Sequence, residues 1–240
     1  MLKHEKCSEK KVVGIIGGMG PAATAMLFQK LIDYTDAKSD AEHMRIVIDN
    51  NPGIPDRTTA ILNGEDTPAK YIVESGKHLE NCGAQLLLIP CNTSHYFYEQ
   101  IQQKLDVTVV NMIAETAKIC VQKGYTKVGV LATTGTCSTH TYDRELQKFG
   151  IEAVYPNEAG QEKVMEIIYD QVKAGKKIDA TIIDQTLKEM TAKGAQAFIL
   201  GCTELPFAIK NGDFGYHFLD SLDILAKRAV ELAGYPLKKK

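Results

Sequence analysis

Two cysteines, Cys91 and Cys202, stand at matching points of a repeated phrase. The first phrase runs from Gly83-Ala84-Gln85 to Cys91 and the second from Gly194-Ala195-Gln196 to Cys202. An apolar run leads into each thiol, Leu86–Ile89 in one case and Ala197–Leu200 in the other, and a threonine follows closely, Thr93 or Thr203. A thiol serves as acid and as base, because its reference pKa of about 8.5 falls near positive charge or a helix N-terminus. Two thiols, each ending a buried strand in one of two similar halves, can be aimed into one cleft. Such a pair can take a proton from one face of a carbon and return one to the other face. That is the requirement for inverting a carbon centre.

The remaining cysteines, Cys7, Cys82, Cys120 and Cys137, lack this context and read as small buried apolar residues. No C-x-x-C pair exists and no Cys/His group has zinc spacing. The first eleven residues, Met1 to Lys11, are polar and charged, with no apolar signal-peptide core. Free thiols in a reducing cytoplasm are therefore expected.

The elements that position the thiols are legible as alternation. Apolar, often β-branched runs at 12–16, 45–49, 85–90, 107–110, 127–132, 152–155, 197–200 and 217–219 read as strands. Helical stretches at 22–34, 67–81, 113–123, 139–149, 162–174, 179–192 and 221–232 separate them. This alternation predicts an α/β fold with parallel sheets and helices on both faces. A second repeat supports two halves: Val128 follows Val13, and Gly135 follows Gly20, by 115 residues, against 111 between the two cysteines. Two α/β domains of ordinary size are expected, 1–107 plus 213–240 and 108–212. The chain would cross at Asp106–Asn111 and return near Asn211–Gly215, and the last helix would pack on the first half. Ligands bind open α/β sheets at the carboxyl ends of strands. The segments there are Gly17–Pro21, Asn50-Asn51, Cys91–His95, Thr133–Thr136 and Cys202–Glu204.

Gly18-x-Gly20-x-x-Ala23 loosely fits a dinucleotide fingerprint, but the acid ending the second strand, Asp49, lies 31 residues after Gly18, too far for the ribose contact. A loop and helix N-terminus that hold a small carboxylate, with Pro21 in the first helical turn, fit better. Composition excludes other classes. Of the 240 residues 44% are hydrophobic and 24% charged, with a net charge of −2, so no nucleic-acid partner is indicated. The apolar runs are strand length, so no membrane span is expected.

With these pieces in place, the chain resembles the cofactor-independent aspartate/glutamate racemase superfamily, and within it the aspartate racemase branch. The resemblance spans about Val12 to Leu232. It rests on Gly17-Gly18-Met19-Gly20-Pro21, Asn50-Asn51-Pro52-x-Ile54-Pro55-Asp56-Arg57, Pro90-Cys91-Asn92-Thr93-Ser94-His95, Ala132-Thr133-Thr134-Gly135-Thr136 and Gly201-Cys202-Thr203-Glu204-Leu205-Pro206. It implies two flavodoxin-like domains related by a pseudo-twofold, an active site in the interdomain cleft, a homodimer and no cofactor. Glutamate racemases resemble Gly-Cys-Thr-His at the second cysteine, whereas Glu204 stands in the His position here.

The resemblance implies Cys91 and Cys202 as the two catalytic groups, with Cys202 taking the proton of the L-form and Cys91 that of the D-form. A very weakly acidic Cα–H needs donors aimed at the developing carbanion. Asn92, Thr93, Ser94, Thr134 and Thr203 are candidates, and the threonines and serine are equally good helix caps. A dicarboxylate substrate such as aspartate calls for a cation. Arg57 offers a fork for the β-carboxylate, and Lys163 resembles the substrate lysine. Asn51 and Met19 would line the pocket near the α-amino and α-carboxylate groups. Glu204 would orient the Cys202 region or accept the substrate ammonium. His95 reads as a packing residue on the turn after Cys91. The alternatives are a broad-specificity amino-acid or glutamate racemase of the same fold, an isomerase or decarboxylase in which one cysteine attacks carbon, and a non-catalytic amino-acid binder.

Overall fold

The computed structural model describes residues 10–239. Cys7 and the last lysine of the 238–240 tail lie outside them. The first half carries β1 (Val13–Gly17), α1 (Pro21–Tyr34), β2 (Ile46–Asn50), α2 (Arg57–Leu62), α3 (Thr67–Asn81), β3 (Leu86–Leu88), α4 (Tyr98–Gln102) and α5 (Met112–Gln122). The second carries β4 (Lys127–Ala132), α6 (Thr134–Ser138), α7 (Asp143–Gln147), β5 (Glu152–Val154), α8 (Glu158–Met165), α9 (Asp184–Ala192), β6 (Phe198–Gly201), α10 (Leu205–Ala208), β7 (Phe218–Asp220) and α11 (Ser221–Leu232).

Both sheets are parallel. The first has the order β2-β1-β3, and Leu87 adds a parallel bridge to Val109. The second has the order β5-β4-β6-β7. The bridge at Val109 thus holds the place in the first sheet that β7 holds in the second. The expected strand at 107–110 shrinks to this bridge, held by Leu87 N–H to Thr108 O and Val110 N–H to Leu87 O, both 2.9 Å. The two sheets therefore repeat one topology, as the paired phrases require.

This pairing corrects the expected boundary at 213. β7 joins the second sheet, because Phe218, Leu219 and Asp220 register against Phe198, Ile199 and Leu200. The helix after it does cross over: α11 packs on α1, and α5 packs on α7. The last helix of each half thus covers the other half. Side-chain alternation along the strands gives each sheet two apolar faces. Val13 and Ile15 of β1 share one core with Val128 and Val130 of β4 and with Leu222 and Leu225 of α11. Ile16 and Leu87 face a separate core under α3, and Leu131 and Leu200 face a third under α8 and α9. The shared central core makes the two halves one packed unit.

Three local departures bear on the site. The single helix expected over 162–174 is α8 continued by a π-helical segment, Glu166–Lys173. The stretch at 139–149 is helical only over α7. Cys82, expected in the core, caps the C-terminal end of α3 and is exposed, since the helix ends there at the surface.

Candidate active site

The carboxyl ends of β3 and β6 meet at the junction of the halves. Cys91 follows β3 by way of Ile89-Pro90, and Cys202 follows β6 directly; both are buried. The Thr203 hydroxyl donates to Pro90 O at 3.4 Å, and Asn92 Nδ2 donates to Ser221 Oγ at 3.0 Å. The Thr93 and Thr133 hydroxyls lie 2.9 Å apart, and Thr136 Oγ1 donates to Thr93 at 3.1 Å. These bonds stitch the two halves together around the thiols. The turns after the cysteines are short, a five-residue 3-10 helix at Thr93–Phe97 and the four-residue α10, so little helix dipole reaches either sulfur.

Both cysteines line a small cavity. Met19, Arg57, Cys91, Asn92 and Thr93 border it from the first half, and Cys202, Thr203 and Glu204 from the second. Asp56, Thr58, Thr133, Tyr169 and Lys173 complete its wall. The space left is about 10 Å³, enough for a single water. A larger groove of about 820 Å³ runs between α5 and α11 and contains neither cysteine.

Arg57 is the first residue of α2, whose N-cap Asp56 accepts Thr59 N–H at 2.9 Å. The guanidinium is buried. Its Nη1 donates to Ile54 O at 3.2 Å and to Pro55 O at 3.0 Å, which fixes the fork, while Nε is buried without a hydrogen-bond partner. Burial works against the charge, but Cys91 and Asp56 outweigh it and hold the Arg57 pKa above its ordinary value. Gly135 allows α2 this close approach, because a Cβ there would sit 3.0 Å from Thr58 Cα.

In the same lining Cys202 Sγ donates to Glu204 Oε2 at 3.0 Å, and Thr203 Oγ1 reaches the same oxygen at 3.3 Å. Burial pushes the Cys202 thiol well above its ordinary pKa, and Glu204 adds to the shift while Lys173 opposes it. Lys173 rises from the π-helical segment with its ammonium 3.9 Å from the centre of the Tyr169 ring. Loss of water disfavours its charge, but Glu204, Tyr169 and the two cysteines more than compensate, and its pKa is raised.

Several sequence expectations move. Lys163 is exposed and pairs with Glu166 at 3.1 Å, away from the cavity; the lysine that borders it is Lys173, ten residues on. Asn51 does not border it, because its side chain accepts Gly53 N–H at 2.9 Å in the loop before α2. Thr134 lies outside the wall, held by Gln161 at 3.4 Å, and its neighbour Thr133 takes the place. Ser94 is turned to Met19 Sδ at 3.3 Å and braces the glycine loop. Asn92 borders the cavity, but its amide is already engaged by Ser221 and by the Tyr142 hydroxyl at 2.6 Å. The Gly18 N–H, expected to face an anion, donates to Thr24 Oγ1 at 2.9 Å. His95 is structural: Nε2 accepts Met112 N–H at 3.1 Å, so Nδ1 carries the proton and donates to Cys91 O at 2.9 Å. Burial lowers its pKa. Asp56 and Tyr169 gave no distinct signal in the sequence. The spacing of Tyr169 and Lys173, four apart on one helical face, was the available clue.

Residues 16–229 match the family model described as Asp/Glu/Hydantoin racemase. The chain belongs to that family. It is similar to the broad specificity amino-acid racemase RacX of Bacillus subtilis (strain 168), 30% identical over 225 residues that cover 91% of this chain and 96% of that protein. Among solved structures, the family member is similar to the Picrophilus torridus aspartate racemase, with 33% identity, a TM-score of 0.79 and coverage of 95% and 96% of the two chains. An aspartate racemase homologue from Pyrococcus horikoshii OT3 is 29% identical, with a TM-score of 0.76 over 93% of this chain and 99% of that one. The racemase fold of two α/β halves is thus shared along nearly the whole chain. The chain is an amino-acid racemase of this family. Among its described residues no helix is long and apolar enough to cross a membrane.

Proposed function

We propose that this racemase interconverts L- and D-aspartate without a cofactor, with Cys91 and Cys202 as its two proton-transfer groups. The observation that carries the reading is the cavity itself: one thiol from each half with two cations, Arg57 and Lys173, in the same wall. A substrate with two carboxylates gives each cation a partner, and a guanidinium grips one of them through two parallel bonds. In one direction a thiolate takes the Cα proton and becomes a thiol. The electron pair left on Cα is spread into the α-carboxylate, and the opposite thiol delivers its proton to the other face and becomes a thiolate. Closing the cleft excludes water, which strengthens the cations' hold on the charge that develops. A homodimer in the cytoplasm is part of the same reading.

The experiment follows Cα–H exchange and optical inversion of L- and D-aspartate in D2O, in the unaltered protein and in Cys91→Ser and Cys202→Ser. Loss of inversion is expected in both variants, and full inversion by either one overturns the two-thiol assignment. A second reading, a broad-specificity racemase, is favoured by the likeness to RacX. Equal turnover of aspartate and of neutral amino acids would decide for it.

A further inference from the structure

The duplication breaks beside the thiols. Two residues after Cys91 stands Thr93, and two residues after Cys202 stands Glu204. Glu204 is buried, and one carboxylate oxygen accepts the Cys202 S–H at 3.0 Å. The other oxygen points toward the glycine loop, where a Cβ on Gly20 would meet it at 3.4 Å. The first half places the cation Arg57 against Cys91 instead. An anion faces one sulfur and a cation the other.

We infer that Glu204 is a positioning residue that keeps Cys202 as the thiol in the resting enzyme, so that turnover from the resting form begins with Cys202 as the acid and Cys91 as the base. The inference rests on the two-thiol racemase reading and assigns the proton that reading leaves unassigned. A thiolate on Cys202 would stand 3.0 Å from the Glu204 carboxylate in a buried site, and that repulsion favours keeping the proton on sulfur. Lys173 from the π-helical segment opposes this, and it is shared with Glu204 and Tyr169. Arg57, Asp56 and Cys91 line the same cavity.

The cycle then has a direction. Cys91 thiolate takes the Cα proton, and Cys202 gives its proton to the opposite face. The product complex leaves Cys202 as a thiolate beside Glu204. That form relaxes either by inverting the opposite enantiomer or by returning a proton from Cys91 to Cys202 through solvent.

The test is a pH titration of the Cys202 Cβ resonance in protein labelled with [3-13C]cysteine, compared among the unaltered chain, Glu204→Gln and Glu204→Asp. The Cys202→Ser spectrum assigns the signal, and the buried Cys120 signal reports whether each variant is folded. Neutralising the carboxylate in Glu204→Gln is expected to lower the Cys202 midpoint by a unit or more, about a tenfold gain in thiolate at a given pH. Glu204→Asp keeps the charge but withdraws it by one methylene, and is expected to lower the midpoint by a smaller, still measurable amount. An unmoved midpoint in a folded Glu204→Gln overturns the inference. If that variant does not fold, Glu204→Asp decides: a lowered midpoint from the withdrawn carboxylate supports the inference, and an unchanged one overturns it. The titration needs no turnover. A shifted midpoint in a protein that does not racemise aspartate would remove the proposed function while leaving the Glu204–Cys202 coupling. Racemisation with an unmoved midpoint would do the reverse.

Discussion

The Tyr169 hydroxyl, carried by the second half, donates to Asp56 of the first half at 3.1 Å. Burial alone would raise the Asp56 pKa. The Thr59 N–H, the Arg57 charge and this hydroxyl outweigh it and hold the carboxyl below its usual range. The bond is therefore made to a charged acceptor, and it joins two residues of the cavity lining, one from each half.

Tyr169→Phe removes this bond between the halves and keeps the ring under Lys173. A hydrogen bond of this kind is worth on the order of 1–2 kcal/mol, a factor of about 5–30. The expected outcome is a fall of that size in kcat/KM for aspartate, expressed chiefly in KM. Steady-state polarimetry at several substrate concentrations checks it.

Lys173→Ala and Lys163→Ala should separate sharply. Lys173 borders the cavity, whereas Lys163 is exposed in a surface pair with Glu166. Exposed pairs of this type contribute about 0–1 kcal/mol. We expect Lys163→Ala to retain its rate within about twofold and Lys173→Ala to lose about a hundredfold or more, the cost of one charge-assisted carboxylate contact. Parallel racemisation assays read both.

Arg57→Lys keeps the charge and loses the fork. Nη1 is occupied by Ile54 O and Pro55 O, and a lysine cannot hold two carbonyls and a substrate carboxylate in one plane. A loss of about a hundredfold in kcat/KM for aspartate is expected, with a much smaller loss for any neutral amino acid the enzyme accepts. Comparing the two substrates tests which cation sets the preference.

Gly135→Ala is expected to change activity more than stability. Alanine in place of a helical glycine contributes about 0.5–1 kcal/mol in favour of folding. Its Cβ, 3.0 Å from Thr58 Cα, displaces α2 and the Arg57 it carries. A melting temperature within a few degrees of the original, with racemisation reduced about tenfold, is the outcome to look for.

Stability should fall on the alkaline side. Burial pushes the Cys120 thiol up to about 12 and the Cys202 thiol well above its ordinary value. Above about pH 8.5 the unfolded chain gives up these protons while the folded one keeps them, so the folded state binds more protons and ΔG of unfolding decreases with pH. The contribution of Cys120 is whole below that point and is lost as pH rises toward 12. Urea unfolding between pH 8 and 11 measures it, and Cys120→Ala should flatten the slope.

Much of this was legible in the sequence because it depends on local pattern. Leu86–Ile89 and Phe198–Leu200 are apolar on both faces of a strand, which a parallel sheet under helices requires, and the repeat that carries Cys91 and Cys202 declares two similar halves. The short α2 is not among the expected helices, so the place of Arg57 at its start, behind the Asp56 cap, came only with the structure. Which lysine reaches the cavity could not be read from neighbours. Lys163 and Lys173 ride one helical run, and only the packing of that run on the second sheet decides which end lies beside the thiols. Thr133 and Thr134 are likewise adjacent and chemically alike, and the turn after β4 sends one to the wall and the other to Gln161. The assignment of β7 to the second sheet depended on hydrogen bonds to a strand twenty residues away. Residue type and spacing determined the fold of two repeated halves and singled out the two thiols proposed to react. Tertiary packing decided which charges stand beside each thiol, because charge acts through distances that the order of residues does not fix.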